Sequence, residues 1–449
     1  MRKVTLNCKK AIRLLAVAML MLLPVLQTGA QQNILLETEA RRLLEHFFNR
    51  ETEDVRGMLA EELDTMIPDG QLEEIADGLE AQLGNFEYVD RAVFDTAGDH
   101  EIVVLVCRFE KMELGFRVVF NRGNKVAGFH FVPAPPISFS SPPGYADSTL
   151  FDESETEIDC GDIVLPGMVT MPAGRQKVPV VVLVHGSGPH DADETIGPNK
   201  PFRDLAWGLA SRGIAVLRYE KRTLKHGGTF DRNNFTIWDE TGNDALAAVA
   251  AAREIPGADP GRIYLLGHSL GGMLASAIAS RDPGIAGIII MAGNSRPLQY
   301  LVPEQYKYLM SLHGELTDLQ QETLVELREQ ARAISENRLE GLTYRETLLN
   351  LPPAYWADLN NYNQRALASG LPQRILVLQG ERDYQVTMVD FAGWQEALKS
   401  HPGASLISYP AVNHLMMEGE GAPNPAEYFK KNNVYEGMID DIASWIGVN

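Results

Sequence analysis

Six apolar runs dominate the second half of the chain: VPVVVLVHG (178–186), IAVLRYE (214–220), RIYLLGHS (262–269), GIAGIIIMAG (284–293), RILVLQGERD (374–383) and ASLISYP (404–410). Each has the length of a strand and little polar alternation, so each needs cover on both faces. Between them lie helical stretches such as FRDLAWGLASRG, DALAAVAAAREI and FAGWQEALKSH, and VYEGMIDDIASWIG closes the chain as a last helix. Strands apolar on both faces, separated by amphipathic helices, dictate an α/β class with a parallel sheet sandwiched by helices. One interval breaks the rhythm. From IIIMAG to RILVLQG run about eighty residues, far more than an ordinary βα connection takes. They include LTDLQQETLVELREQARAISENRL, of strong helical character. We read about 296–370 as a helical cap inserted at the carboxyl ends of the strands, where α/β sheets hold their ligands.

The 449 residues are too many for that sheet alone. In ILLETEARRLLEHFFN, Leu35, Leu36, Leu43, Leu44, Phe47 and Phe48 recur at helical spacing, and QLEEIADGLEAQLG repeats the pattern. The period then changes to that of strands in EYVDRAVFDTAG, EIVVLVCRFEKM, LGFRVVFNRG and KVAGFHFVPA. Helices followed by a meander predict a small α+β domain over 31–132. The proline-rich stretch 133–149 is read as a linker, and 150–449 as the α/β domain.

The first thirty residues stand apart. Arg2, Lys3, Lys9, Lys10 and Arg13 precede the apolar run LLAVAMLMLLPVL, and Thr28 and Ala30 form a small-x-small cleavage pattern. This three-part order predicts a secretory signal peptide over 1–30, with a periplasmic or secreted product. Leu14 to Leu26 is short for a spanning helix, so no stable membrane insertion is expected after cleavage. Acids outnumber bases 60 to 40, for a net charge of −20, and losing the leader makes the chain more acidic still. That balance disfavours nucleic acid and anionic membranes as partners. Cys107 and Cys160 are no disulfide framework, and Cys107 reads as a buried thiol.

The chemistry concentrates in Gly267-His268-Ser269-Leu270-Gly271, a G-x-S-x-G run between an apolar strand and a small-residue helix. This spelling suits a strained strand-to-helix turn that holds a serine oxygen exposed. A serine hydroxyl is a poor nucleophile and needs a base, which in turn needs an orienting acid. In this architecture the chain order is serine, acid, histidine. Asp383 ends the strand RILVLQG and is our acid, with Glu381 as its main rival and Asp390 as a weaker one. Three histidines follow Ser269. His313 lies in the cap, His401 ends a helix and suits a structural role there, and His414 follows the last strand and is our base. Two backbone N–H groups should face the developing oxyanion. We expect them from Leu270 and from Ser187, with Gly188 as the alternative, in the loop His185-Gly186-Ser187-Gly188-Pro189. His185 reads as a packing residue. His190, Asp191 and Asp193 have metal-like spacing, but a lone H-D-x-D is weak evidence for a metal, and the serine mechanism needs no metal and no organic cofactor.

The segments HGSGPHDADETIGPNKPF, VLRYEKRT, GHSLGG, LQGERDYQVT and NHLMM resemble the α/β-hydrolase superfamily, and among it exported bacterial serine esterases with a small front domain. The resemblance covers about residues 160–449. It implies a mostly parallel eight-stranded sheet, Ser269, Asp383 and His414 as a triad, and Ser187 and Leu270 as amide donors. The front domain resembles the cone-shaped α+β domains related to ketosteroid isomerase. The expected activity is hydrolysis of a small-molecule acyl ester through an acyl-enzyme. A serine peptidase with the same triad and a non-catalytic ligand-binding protein are the alternatives. The sequence leaves a homodimer open.

Overall fold

The computed structural model describes residues 29–97, 100–134, 141–227, 230, 231, 233–312, 314–316 and 318–447. The expected leader lies almost wholly outside them, as does His313. Two compact units divide the chain, one up to Ser138 and one from Phe139 onward.

In the first unit, helix α1 (Gly29–Phe48) is followed by α2 (Thr52–Met58) and α3 (Gln71–Leu83). Strands β1 (Phe86–Ala97), β2 (His100–Phe109), β3 (Glu113–Phe120) and β4 (Val126–Pro133) form an antiparallel sheet in that order. Leu36, Ala40, Leu43, Leu44 and Phe47 line one face of α1 and meet Val103, Leu105, Cys107 and Phe109 of β2, alternate residues of one sheet face. Phenylalanines fill the space between. Phe116 and Phe131 lie 4.9 Å apart, Phe48 stacks on Phe86 at 5.1 Å, and Phe47 meets Phe129 at 6.2 Å. Cys107 is a free thiol, and burial pushes its pKa up to about 12.

The second unit is built on an eight-stranded sheet in the order β12-β11-β10-β9-β7-β8-β6-β5. Its members are β5 (Phe151–Asp159), β6 (Val164–Pro172), β7 (Val178–Val184), β8 (Ala215–Tyr219), β9 (Ala258–His268), β10 (Gly287–Met291), β11 (Arg374–Gly380) and β12 (Ala404–Tyr409). From β12 to β8 every neighbouring pair is parallel, while β8, β6 and β5 pair antiparallel. Every residue of β7, β8 and β10 is buried. Each Val, Leu or Ile so placed contributes about 1.5–3 kcal/mol. Helices cover both faces: α4 (Pro201–Ser211) and the C-terminal helix (Glu436–Ile446) pack with one apolar cluster, α5 (Asn243–Arg253) and α6 (Leu270–Arg281) with the other.

The two antiparallel strands are absent from the six apolar runs. β5 reads FDESETEID and is exposed over most of its length, because it is the sheet's edge. Residues 141–149, expected as linker, belong instead to the second unit. The Tyr145 hydroxyl donates to the Val434 carbonyl (2.7 Å), and the Asp147 amide donates to Ser211 Oγ (3.0 Å). Between β10 and β11 stand α7 (Leu298–Ser311), α8 (Asp318–Ser335), α9 (Pro353–Asn360) and α10 (Gln364–Gly370). They are tied to the body by the Gln364 amide on the Arg296 carbonyl (2.8 Å) and by the Tyr362 hydroxyl on the Met273 carbonyl.

Candidate active site

Three parallel strands bring the candidate residues to their carboxyl ends. β9 runs in register between β7 and β10, with Gly267 opposite Val184 and Ile290. The chain then turns within one residue into α6. Ser269 is that residue, at φ 52° and ψ −112°, a strained conformation for a side chain with a Cβ. The two flanking glycines are steric requirements. A Cβ on Gly267 would come 2.2 Å from the Gly271 carbonyl, and one on Gly271 would come 2.3 Å from the Val184 oxygen. The Ser269 amide is spent on the Met291 carbonyl (2.9 Å), which locks the turn to β10. Leu270 opens the helix beneath it and is buried.

Asp383 lies just beyond β11, and His414 in the loop after β12. His414 Nδ1 donates to Asp383 Oδ2 at 2.6 Å. Asp383 is held by more than that partner. Its Oδ1 accepts from the amides of Gln385 (2.8 Å) and Val386 (2.9 Å), and Gln379 Nε2 reaches Oδ2 at 3.2 Å. Both residues are 4 % exposed. His268, the neighbour of Ser269, brings the third strand to them. Its ring lies 4.9 Å from that of His414, and its Nε2 donates to the His414 carbonyl at 3.0 Å.

The rivals are engaged elsewhere. Glu381 is exposed and accepts from the Ser408 hydroxyl (2.8 Å). Asp390, on helix α11 (Met388–Leu398), is fully buried and takes the Arg296 guanidinium at 2.8 Å with the amides of Ser295 and Arg296. His401 donates to the Leu371 carbonyl (2.8 Å) and accepts from the Gly403 amide. His185 packs on Phe202 and Tyr219 and donates to the Asp191 carbonyl, while burial pushes its pKa down to about 3. The H-D-x-D residues have local partners. His190 donates to the Ser187 carbonyl (2.7 Å), Asp191 accepts from Thr195, and Asp193 pairs with Lys200 and Arg218. Among the described residues, His46, Glu51 and Asp54 of the first unit place three metal-type ligands within 4.8 Å; the two acids are exposed, and His46 pairs with Glu51.

Sequence reasoning passed over two buried charged groups in this region. Glu194, at φ 51° and fully buried, accepts the Gly186 amide on Oε1 (2.7 Å) and His268 Nδ1 on Oε2 (2.9 Å). His268 therefore faces a carboxylate on one ring nitrogen and a carbonyl on the other. A carbonyl and an ionised carboxylate both accept, so this setting favours a proton on each ring nitrogen. Burial alone favours the neutral forms of both groups. Their mutual charge and hydrogen bond win, raising His268 above the ordinary imidazole value and holding Glu194 down at about 2. Lys221, 2 % exposed, is the second group. Its signal in the sequence is a lysine just past the carboxyl end of β8, where parallel sheets place functional groups.

Comparison with known proteins matches this frame. The model of the family described as "Alpha/beta hydrolase family" covers residues 181–430. A second model, "Protein of unknown function (DUF3887)", covers 40–129. Esterase EstD of Thermotoga maritima is 35% identical over 410 residues, covering 91% of this chain and 95% of that protein. Among solved structures, Est1E from Butyrivibrio proteoclasticus is 15% identical at TM-score 0.42, over 65% of this chain and 98% of that one. A putative dienelactone hydrolase from Klebsiella pneumoniae is 16% identical at TM-score 0.40, over 67% and 99%. The extent of the family match and the identity to EstD decide the assignment: this chain is a hydrolase and belongs to the alpha/beta hydrolase family.

Proposed function

We propose that the protein is a serine carboxylesterase that cleaves small-molecule acyl esters. The observation that carries this reading is the Asp383–His414 hydrogen bond of 2.6 Å, with the His414 ring 4.9 Å from that of His268, the residue before a serine in a strained, positive-φ elbow. Ser269 Oγ attacks the acyl carbon as His414 Nε2 takes its proton. Asp383 keeps Nδ1 protonated and steadies the imidazolium that forms. The amide N–H groups of Leu270 and Ser187 donate to the oxyanion of the tetrahedral intermediate. His414 then protonates the departing alcohol, and water repeats the sequence on the acyl-enzyme to release the acid. The name of the relative, an esterase, supports the choice of ester over amide. Export through residues 1–30 is part of the proposal, and cell fractionation checks it.

The test is Ser269→Ala. On short acyl nitrophenyl esters kcat should fall about 10⁶-fold with the fold intact, and a fluorophosphonate should label the parent chain at Ser269 and not the variant. Faster turnover of aminoacyl or dipeptidyl amides than of esters would make the protein a peptidase. No adduct at Ser269 would make it a binding protein.

A further inference from the structure

The loop after β7 is held in a way that the triad does not require. Its carbonyls are taken one after another: Gly186 by Lys221 Nζ (2.8 Å), Ser187 by His190 Nε2 (2.7 Å) and Gly188 by Thr223 Oγ1 (3.2 Å). The Gly186 amide is tied to Glu194. A Cβ on Gly186 would lie 3.3 Å from the Ser269 Cβ, so this backbone runs directly against the elbow. In a trans peptide the carbonyl and the N–H point in opposite directions. The carbonyl that Lys221 holds belongs to the same peptide as the Ser187 N–H.

We infer that Lys221 is the positioning residue of the oxyanion hole: by gripping the Gly186 carbonyl from below, it turns the Ser187 N–H toward the reacting oxygen and strengthens it as a donor. The inference rests on the esterase reading above. Two physical effects follow from one contact. The first is orientation, because the peptide plane cannot rotate without breaking a charge-assisted hydrogen bond. The second is polarisation, because a cation on the carbonyl shifts electron density away from the N–H across the same amide. Lys221 is itself fixed. Its Nζ lies 2.5 Å from Glu240 Oε1, Glu240 Oε2 accepts the Tyr355 hydroxyl at 2.8 Å, and the Lys221 amide donates to the His190 carbonyl at 3.0 Å. Tyr355 stands on α9 of the cap. The chain Tyr355–Glu240–Lys221–Gly186 thus runs from cap to oxyanion loop through buried groups.

Lys221 does not touch substrate in this scheme, so its removal should act on the transition state alone. Two variants are compared with the parent chain: Lys221→Met, and Lys221→Met with Glu240→Gln. The double variant leaves no unpaired buried charge and keeps a partner for Tyr355, so its fold is protected. Each is assayed on an aryl ester and on the thionoester of the same acyl group, whose sulfur is a poor acceptor for the hole. We expect kcat on the oxygen ester to fall about 10–10²-fold, with KM changed by less than about threefold, because the oxyanion exists only after attack. Thionoester turnover should fall far less, so the oxygen-to-sulfur rate ratio should drop about tenfold. Equal losses on both esters would reduce Lys221 to a structural role, and an unchanged kcat and ratio in the double variant would remove it from catalysis. Fluorophosphonate labelling separates the two levels. A parent chain that labels at Ser269 and cleaves the ester keeps the esterase reading whatever the Lys221 result, and one that does neither removes both.

Discussion

The interior of the first unit and the rim of the large sheet are buried equally deeply and filled with opposite kinds of side chain. Phe109, Phe116 and Phe120 are fully buried between α1 and the four-stranded sheet. At the carboxyl ends of β7, β8, β9 and β11 the buried groups include Glu194, Lys221, His268 and Asp383. Apolar burial is self-justifying, since each ring leaves water at a gain. A buried charge is stable only when paired and hydrogen-bonded, and replacing such pairs by apolar residues is often neutral or stabilising. A rim dense in them therefore adds little to stability. The difference separates residues that hold the molecule together from residues that the proposed reaction needs held in register.

That contrast can be broken by substitution. Asp383→Asn should lose about 10⁴-fold in ester kcat at little cost in stability, because the geometry survives while His414 takes the wrong tautomer. Steady-state kinetics with a thermal melt on the same sample checks both halves, and a large drop in Tm with kcat intact would reverse the assignment. Phe116→Ala should do the opposite. It deletes a fully buried ring and should cost about 3–5 kcal/mol of the first unit's stability, read as a lowered calorimetric transition. Loss of fluorophosphonate labelling without that lowered transition would contradict the division.

The gentlest probe is pH. Glu194 is depressed to about 2, so its stabilisation is complete above the ordinary carboxyl value and is lost as pH falls through about 2. His268 is raised, so its share is complete below about 6.5, the ordinary imidazole value, and is lost as pH climbs through the raised one. The Tm difference between the parent chain and Glu194→Gln should therefore be greatest between about pH 4.5 and 6.5 and shrink on both sides. A difference independent of pH would mean that Glu194 and His268 are not an ion pair.

Much of the architecture was legible because it is local. The runs at 178–186, 262–269 and 284–293 are apolar without alternation, and such a run has few places to lie except inside a parallel sheet. The elbow was legible for the same reason: Gly267, Ser269 and Gly271 are spelled within five residues and act within one turn. β5 was not, because an edge strand keeps its backbone pairing while its side chains stay in water, and FDESETEID carries no apolar signal. Nor was the anchoring of 141–149, where prolines suggest a linker and Tyr145 instead finds a carbonyl 289 positions away.

The sequence by itself determined the α/β class, the strand-to-helix turn with its serine, and the chain order in which an acid and a histidine follow it. Only the tertiary structure decided which charged side chains face one another: Glu194 with His268 across 74 positions, and Lys221 with both Glu240 and the Gly186 carbonyl. The physical reason is range. Hydrophobic periodicity is written between neighbours three or four residues apart, whereas a buried ion acquires its meaning from a partner that arrives only when distant strands have closed into one sheet.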